Sequence, residues 1–216
     1  GIVGEDGVTH HGMFDIAYLR IIPNMSICAP MDVATLANVM KLSLSFASPL
    51  AIRYPRGKVI DFNNEITEFN SAEFCLSTEI CEVGKARKIL DQQGARTVIL
   101  SVGPICLNAL KAAAMLRNEG ILVDIYDMVW IKPLDYTVLL DVAHKYEYLF
   151  TLEDGAINGG FGSAVSEWMS DNGFNKRVIR LGIPDNWVYQ GSIGELQNDC
   201  GFDVDGIIAA VEKEYL

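Results

Sequence analysis

The sequence predicts an α/β protein built from two units, each organised around a parallel sheet. Two observations carry that prediction. Short apolar runs alternate with stretches of helical spacing and are joined by short turns, the pattern that produces parallel sheets. From about Asp61 to Ser77 the chain turns polar and loses its period, which marks a crossing between units. The expected boundaries are 1–62 for the first unit, 63–80 for a linker and 81–216 for the second unit. A third observation concerns function. The loop Gly4-Glu5-Asp6-Gly7-Val8-Thr9-His10-His11-Gly12 gathers an acid, a hydroxyl and two imidazoles between glycine pivots.

In the first unit, Gly1-Ile2-Val3 is a strand-like start. Ile16 to Arg20 reads as a short helix, and Ile22-Pro23-Asn24 as a turn. Met25 to Ala29 reads as a buried strand ended by Pro30. Asp32 then caps a helix whose apolar positions are Leu36, Val39, Met40 and Leu44. Leu50 to Tyr54 is the next strand. Arg56 lies just past its carboxyl end, where open parallel sheets bind ligands.

The second unit opens with an edge strand from Glu82 to Leu90 and a turn at Asp91-Gln92-Gln93-Gly94. Thr97 to Val102 is a buried strand. Cys106, Leu110, Ala113 and Arg117 mark one line along the following helix, which Gly120 closes. Ile121 to Tyr126 and Tyr148 to Leu152 are strands on either side of a helix capped by Asp135. Gly159-Gly160-Phe161-Gly162 is a tight turn into a helix holding Val165 and Trp168. Val178 to Leu181 is the last strand, and a final helix runs from about Asp205 to Glu214.

Composition narrows the function. The 216 residues are 50% hydrophobic and 21% charged, which suits a packed core. A formal net charge of -11 argues against nucleic acid, which calls for a basic footprint. An anionic substrate would have to be held by a few local cations. No apolar run is long enough to span a bilayer, and no signal peptide is visible. The five cysteines are odd in number and form no Cys-x-x-Cys pair, so they read as free thiols in a reducing compartment, with Cys28 and Cys106 in the core. The start on Gly1, with no initiator Met, reads as a piece of a longer protein.

Several motifs are excluded. There is no phosphate loop, no Gly-x-Ser-x-Gly elbow and no zinc-ligand spacing, and Val165 stands where a dinucleotide fingerprint needs its third glycine. His10 and His11 are adjacent, so their side chains diverge and one can face a pocket. Asp6 is placed to orient an imidazole or accept a substrate hydroxyl. Arg53 and Arg56 flank a strand end. Arg56 suits an anion site, whereas a salt bridge is the expectation for Arg53. His144, late in a helix, suits the dipole and receives no catalytic role.

These residues bring a family into view. The loop from Gly4 to Gly12, with Phe14-Asp15, resembles the pyrimidine-domain motif of the 1-deoxy-D-xylulose-5-phosphate synthase family, within the transketolase superfamily. The resemblance continues through Tyr18-Leu19-Arg20, Ile22-Pro23-Asn24-Met25, Ala29-Pro30-Met31-Asp32 and Arg53-Tyr54-Pro55-Arg56-Gly57. It resumes at Lys132-Pro133-Leu134-Asp135, Glu153 to Gly162, Gly182-Ile183-Pro184-Asp185 and Gln190-Gly191. It implies the end of a thiamine-enzyme pyrimidine domain followed by a transketolase C-terminal α/β domain. It further implies condensation of pyruvate with glyceraldehyde 3-phosphate, with loss of carbon dioxide, using thiamine diphosphate and Mg²⁺. His10 would be the catalytic histidine, Asp6 would contact aldehyde hydroxyls and Arg56 would hold the phosphate. A homodimer in the bacterial cytoplasm or plastid stroma is the implied setting. Transketolase, a 2-oxoacid dehydrogenase β subunit and a non-catalytic dimerisation module are the alternatives. Met31 departs from the small polar residue frequent in the family. The Gly-Asp-Gly…Asn motif for the metal-bound diphosphate is not in this chain, and the family's activating glutamate and second phosphate arginine would lie before Gly1.

The isolated 216-residue chain is therefore expected to be inactive and to bind no thiamine diphosphate. Calorimetric titration with the cofactor and Mg²⁺ checks this, and micromolar binding would overturn it.

Overall fold

The computed structural model describes residues 1–57, 61 and 82–216. The expected linker, 63–80, lies outside the described residues, as do Cys75 and Cys81.

A single 3-10 turn, Gly7–Thr9, precedes the first helix, α1 (Asp15–Arg20). Strand β1 (Ser26–Cys28), helix α2 (Val33–Ser43) and strand β2 (Leu50–Ile52) follow, with β1 and β2 parallel. Asp32 caps α2 as expected, its carboxylate accepting the Thr35 amide at 2.7 Å.

The second unit runs β3 (Arg87–Leu90), β4 (Thr97–Val102), α3 (Cys106–Asn118), β5 (Val123–Asp127), β6 (Trp130–Lys132) and α4 (Tyr136–Lys145). It continues through β7 (Tyr148–Ala156), α5 (Phe161–Asp171), β8 (Val178–Ile183), α6 (Ile193–Asp199) and α7 (Val204–Glu212). Its sheet has the order β3-β5-β4-β7-β8, all parallel except the β3 edge. Side chains alternate across β4 because successive strand residues face opposite sides. Ile99 packs with Leu110 and Leu116 of α3 and Ile207 of α7, whereas Val98 and Leu100 pack with Leu139 of α4 and Phe161 of α5. The sheet is thus covered on both faces.

The structure corrects several expectations. β3 begins at Arg87, not Glu82, because Val83 and Gly84 form a turn in which Gly84 takes φ +71°. Arg117 is exposed, and the buried line along α3 passes instead through Ala109 and Leu116. The strands β7 and β8 run on to Ala156 and Ile183. The α6 helix was not anticipated. Its Ser-x-x-Glu capping box, Ser192 with Glu195, was present in the sequence.

β6 was also not anticipated, and it joins the two units. It pairs antiparallel with β1, giving a sheet of order β2-β1-β6, and the Ala29 amide donates to the Val129 carbonyl at 2.8 Å. The seam is fixed electrostatically by Arg87. One of its terminal nitrogens donates to Asp127 at 2.7 Å and to Asp32 at 3.1 Å. Burial pushes the Asp127 carboxyl up to about 6, with Arg87 pulling the other way. Removing one member of a buried ion pair leaves the other uncompensated. Arg87→Leu should therefore lower unfolding stability by about 3–5 kcal/mol, measured by urea denaturation. A loss within about 0.5 kcal/mol, the size of an ordinary surface change, would mean that Arg87 does not hold the seam.

Candidate active site

A cavity of about 670 Å³ opens between the two units. His10, Arg53 and Arg56 line it from the first unit, and Gly103, Asn108 and Asp154 line it from the second. Arg53 and Arg56 stand just beyond the carboxyl end of β2, the position expected for a ligand site.

The two histidines diverge as the sequence suggested. His10 is exposed and faces the cavity, with the Thr9 hydroxyl 3.0 Å from its Nδ1. His11 is buried. The Val3 amide donates to its Nδ1 at 3.0 Å, so Nε2 carries the proton and donates to the Tyr189 carbonyl at 3.2 Å. His11 thus pins the second unit to the loop while His10 remains available. Two glycines permit this close approach. Gly4 and Gly7 adopt φ +84° and +68°, and a Cβ on Gly4 would lie 3.2 Å from the Gly191 carbonyl oxygen.

Asp6 and Arg56 meet one another. They form an ion pair with side chains 38% and 58% exposed. Asp6 therefore accepts from a guanidinium and not from an imidazole, which departs from one of the two roles expected of it. Such an open pair contributes about 0–1 kcal/mol, so a dianion can displace Asp6 from Arg56. Arg53 does form the salt bridge expected of it. It grips Asp15 through Nε at 2.5 Å and through Nη2 at 3.1 Å. His144 lies on the outer end of α4, its Nδ1 2.8 Å from the Leu140 carbonyl oxygen.

Glu153, which precedes the cavity-lining Asp154 in β7, had no role assigned from the sequence. Its buried carboxylate accepts the Phe161 and Gly162 amides at 2.7 and 2.8 Å and so starts α5. The glycine cluster is the tight strand-to-helix turn anticipated, since a Cβ on Gly160 would fall 2.2 Å from Glu153 Oε2. An acid two residues before a glycine and eight before the helix start was the available signal. Next to it, Asp154 accepts the Ile2 amide at 2.9 Å. Among the described residues, no group of three or more His, Cys, Asp or Glu could hold a metal ion. Cys28 and Cys106 are buried, and burial pushes the Cys106 thiol upward. No described helix is long and apolar enough to cross a membrane.

Residues 84–207 match the family model of the transketolase C-terminal domain, and residues 1–60 that of the transketolase pyrimidine binding domain. The chain belongs to the transketolase family. Among curated relatives, this transketolase-family chain is 42% identical to 1-deoxy-D-xylulose-5-phosphate synthase of Parabacteroides distasonis, over 99% of the chain and 32% of that protein. It is 39% identical to the synthase of Aquifex aeolicus, over 98% of the chain and 32% of that protein. The chain thus spans about a third of the length of these relatives, at their C-terminal portion. A solved structure described as a split gene transketolase, inactive beta4 tetramer, superposes with a TM-score of 0.79 at 28% identity, over 95% of this chain and 62% of that one. Transketolase from Campylobacter jejuni superposes at 0.71 with 18% identity, over 98% of this chain and 29% of that one, which shows the fold alone.

Glu153 supplies a pH test. Burial pushes its carboxyl from 4.5 up to about 7, against the pull of the two amides and of Arg53 and Arg20. The folded state therefore binds this proton more tightly than the unfolded chain. The stability it contributes is full below about pH 4.5 and is lost as pH rises through about 7. Unfolding stability should fall across that window, and Glu153→Gln should make the decline shallower. Equal slopes in chemical denaturation series of the two proteins would refute this assignment.

Proposed function

We propose that the chain is the C-terminal part of a 1-deoxy-D-xylulose-5-phosphate synthase and that its cavity receives the phosphorylated aldehyde. The observation that carries this reading is that His10 and Arg56 line one cavity between the units, beyond the carboxyl end of β2. The relatives' shared name supports the reaction: pyruvate joins glyceraldehyde 3-phosphate, carbon dioxide leaves and 1-deoxy-D-xylulose 5-phosphate forms, a step toward isoprenoid precursors and thiamine.

In this reading Arg56 exchanges its exposed partner Asp6 for the substrate phosphate. An acidic chain needs such a local cation to hold a dianion. Asp6, once released, accepts a hydrogen bond from a substrate hydroxyl. His10, with Thr9 at Nδ1, has Nε2 left to hydrogen-bond the aldehyde oxygen and exchange a proton with it as the carbon–carbon bond forms. His11 cannot take this role, because both of its nitrogens are occupied.

Thiamine diphosphate supplies the nucleophilic carbon in enzymes of this family. The residues present do not fit its metal-bound diphosphate, since the described residues form no carboxylate or imidazole cluster for Mg²⁺. In this proposal that end of the cofactor depends on residues outside this chain. Self-association into a homodimer belongs to the same reading, as does the bacterial cytoplasm or plastid stroma as compartment. The synthase is preferred to a transketolase because relatives bearing the synthase name reach 37–42% identity, against 17–28% for the transketolase structures.

The test is made in the complete enzyme that carries this chain. His10→Ala should lower kcat by about 10²–10⁴-fold. Arg56→Ala should raise the KM for the aldehyde by about 10- to 100-fold, the loss of a charged hydrogen bond, and should leave the pyruvate KM nearly unchanged. Unaltered kinetics in both variants would favour a non-catalytic module.

A further inference from the structure

We infer that Arg53 is a positioning residue for His10, fixing the segment from which the imidazole enters the cavity. This inference rests on the reading of His10 given above. Arg53 and Arg56 lie three residues apart on one strand end and line the same cavity, but their surroundings differ. The Arg53 side chain is 13% exposed and that of Asp15 is 22% exposed. Their two-point contact uses Nε and Nη2. An incoming anion would meet a neutralised, half-buried pair at Arg53. At Arg56 it would meet a solvent-screened pair that opens easily.

Arg53 joins three stretches of chain. Besides Asp15 at the start of α1, Nη2 donates to the Gly12 carbonyl at 3.3 Å and to the Asp154 carbonyl at 3.0 Å. Gly12 is two residues past His10, and Asp154 lies in β7 of the second unit. The neighbouring Met13 carbonyl accepts the Ala156 amide at 2.8 Å, so β7 backs the same segment. The base of the guanidinium is itself fixed, since the Arg53 amide donates to the Cys28 carbonyl at 2.8 Å. One planar group therefore sets the relation between the β2 end, the His10 loop and β7. Lysine keeps the charge, but a single nitrogen cannot reproduce this fork.

In the complete enzyme, Arg53→Lys should lower kcat by about 10- to 100-fold, the cost expected for a catalytic group displaced by about 1 Å. The aldehyde KM should stay within about threefold, since the phosphate contact is at Arg56. The deciding measurement is the double variant. If Arg53 acts through His10, Arg53→Lys should cost almost nothing further in a His10→Ala background. Equal losses in both backgrounds would mean a general structural role and would overturn the inference. A rise in aldehyde KM matching that of Arg56→Ala would also overturn it, by making Arg53 a phosphate ligand. Should Arg53→Lys fail to fold, Asp15→Asn removes the same two-point contact and is read in the same way. If His10→Ala alone leaves kcat unchanged, the proposed function falls, which is distinct from failure of the Arg53 inference.

Discussion

The site depends on the buried contact of Arg87 with Asp32 and Asp127. Asp32 starts α2 in the first unit, and Asp127 ends β5 in the second. Two residues beyond Asp127 the chain takes φ +52° at Val129, then runs as β6 against β1. Its carboxylate helps that turn, accepting the Val129 amide at 3.1 Å. One acid thus shapes the turn and binds the cation that reaches across the seam. With the units locked in this way, the β2 end and the start of α3 face one another, and the space left between them is the cavity.

The parts of the fold governed by local chemistry were legible in the sequence. Asp32 and Asp135 both cap helices, because a short acid before an apolar periodic run satisfies the free amides of the first turn. β4 was legible as a strand because its run Val98-Ile99-Leu100 is apolar on successive residues, as suits a strand covered on both faces. β6 was not legible. Three residues, Trp130 to Lys132, carry no period, and their strand character comes from a partner about a hundred positions away. The start of β3 was misplaced for a related reason. Val83 is apolar, but a turn at Gly84 takes precedence over its propensity.

The candidate site was legible in its residues and less so in their pairing. Loop content and the strand-end position pointed to Asp6, Arg56 and one of the two histidines, and the family resemblance singled out His10; His10 and Arg56 do line one cavity. That Asp6 and Arg56 would hold one another was not readable, since they are fifty residues apart and only the return of β2 beside β1 brings them together. Neither was the division of labour between the histidines. Adjacent residues must diverge, but which one is buried depends on Tyr189, from the far end of the chain.

The two arginines at the β2 end show how burial assigns roles within one charge type. Both are planar donors near an acid in a strongly acidic protein, so neither net charge nor residue identity separates them. Partner accessibility does. Asp15 is held at two points beside backbone carbonyls, and exchanging it for another anion would strand a half-buried carboxylate. Asp6 is partly open to solvent, where hydration compensates it once the guanidinium turns away. The same side chain is therefore a fixed part of the framework at position 53 and, in the proposed reading, an exchangeable anion receptor at position 56. Under that proposal, this asymmetry would let the strand end bind a charged ligand without loosening the loop that presents His10.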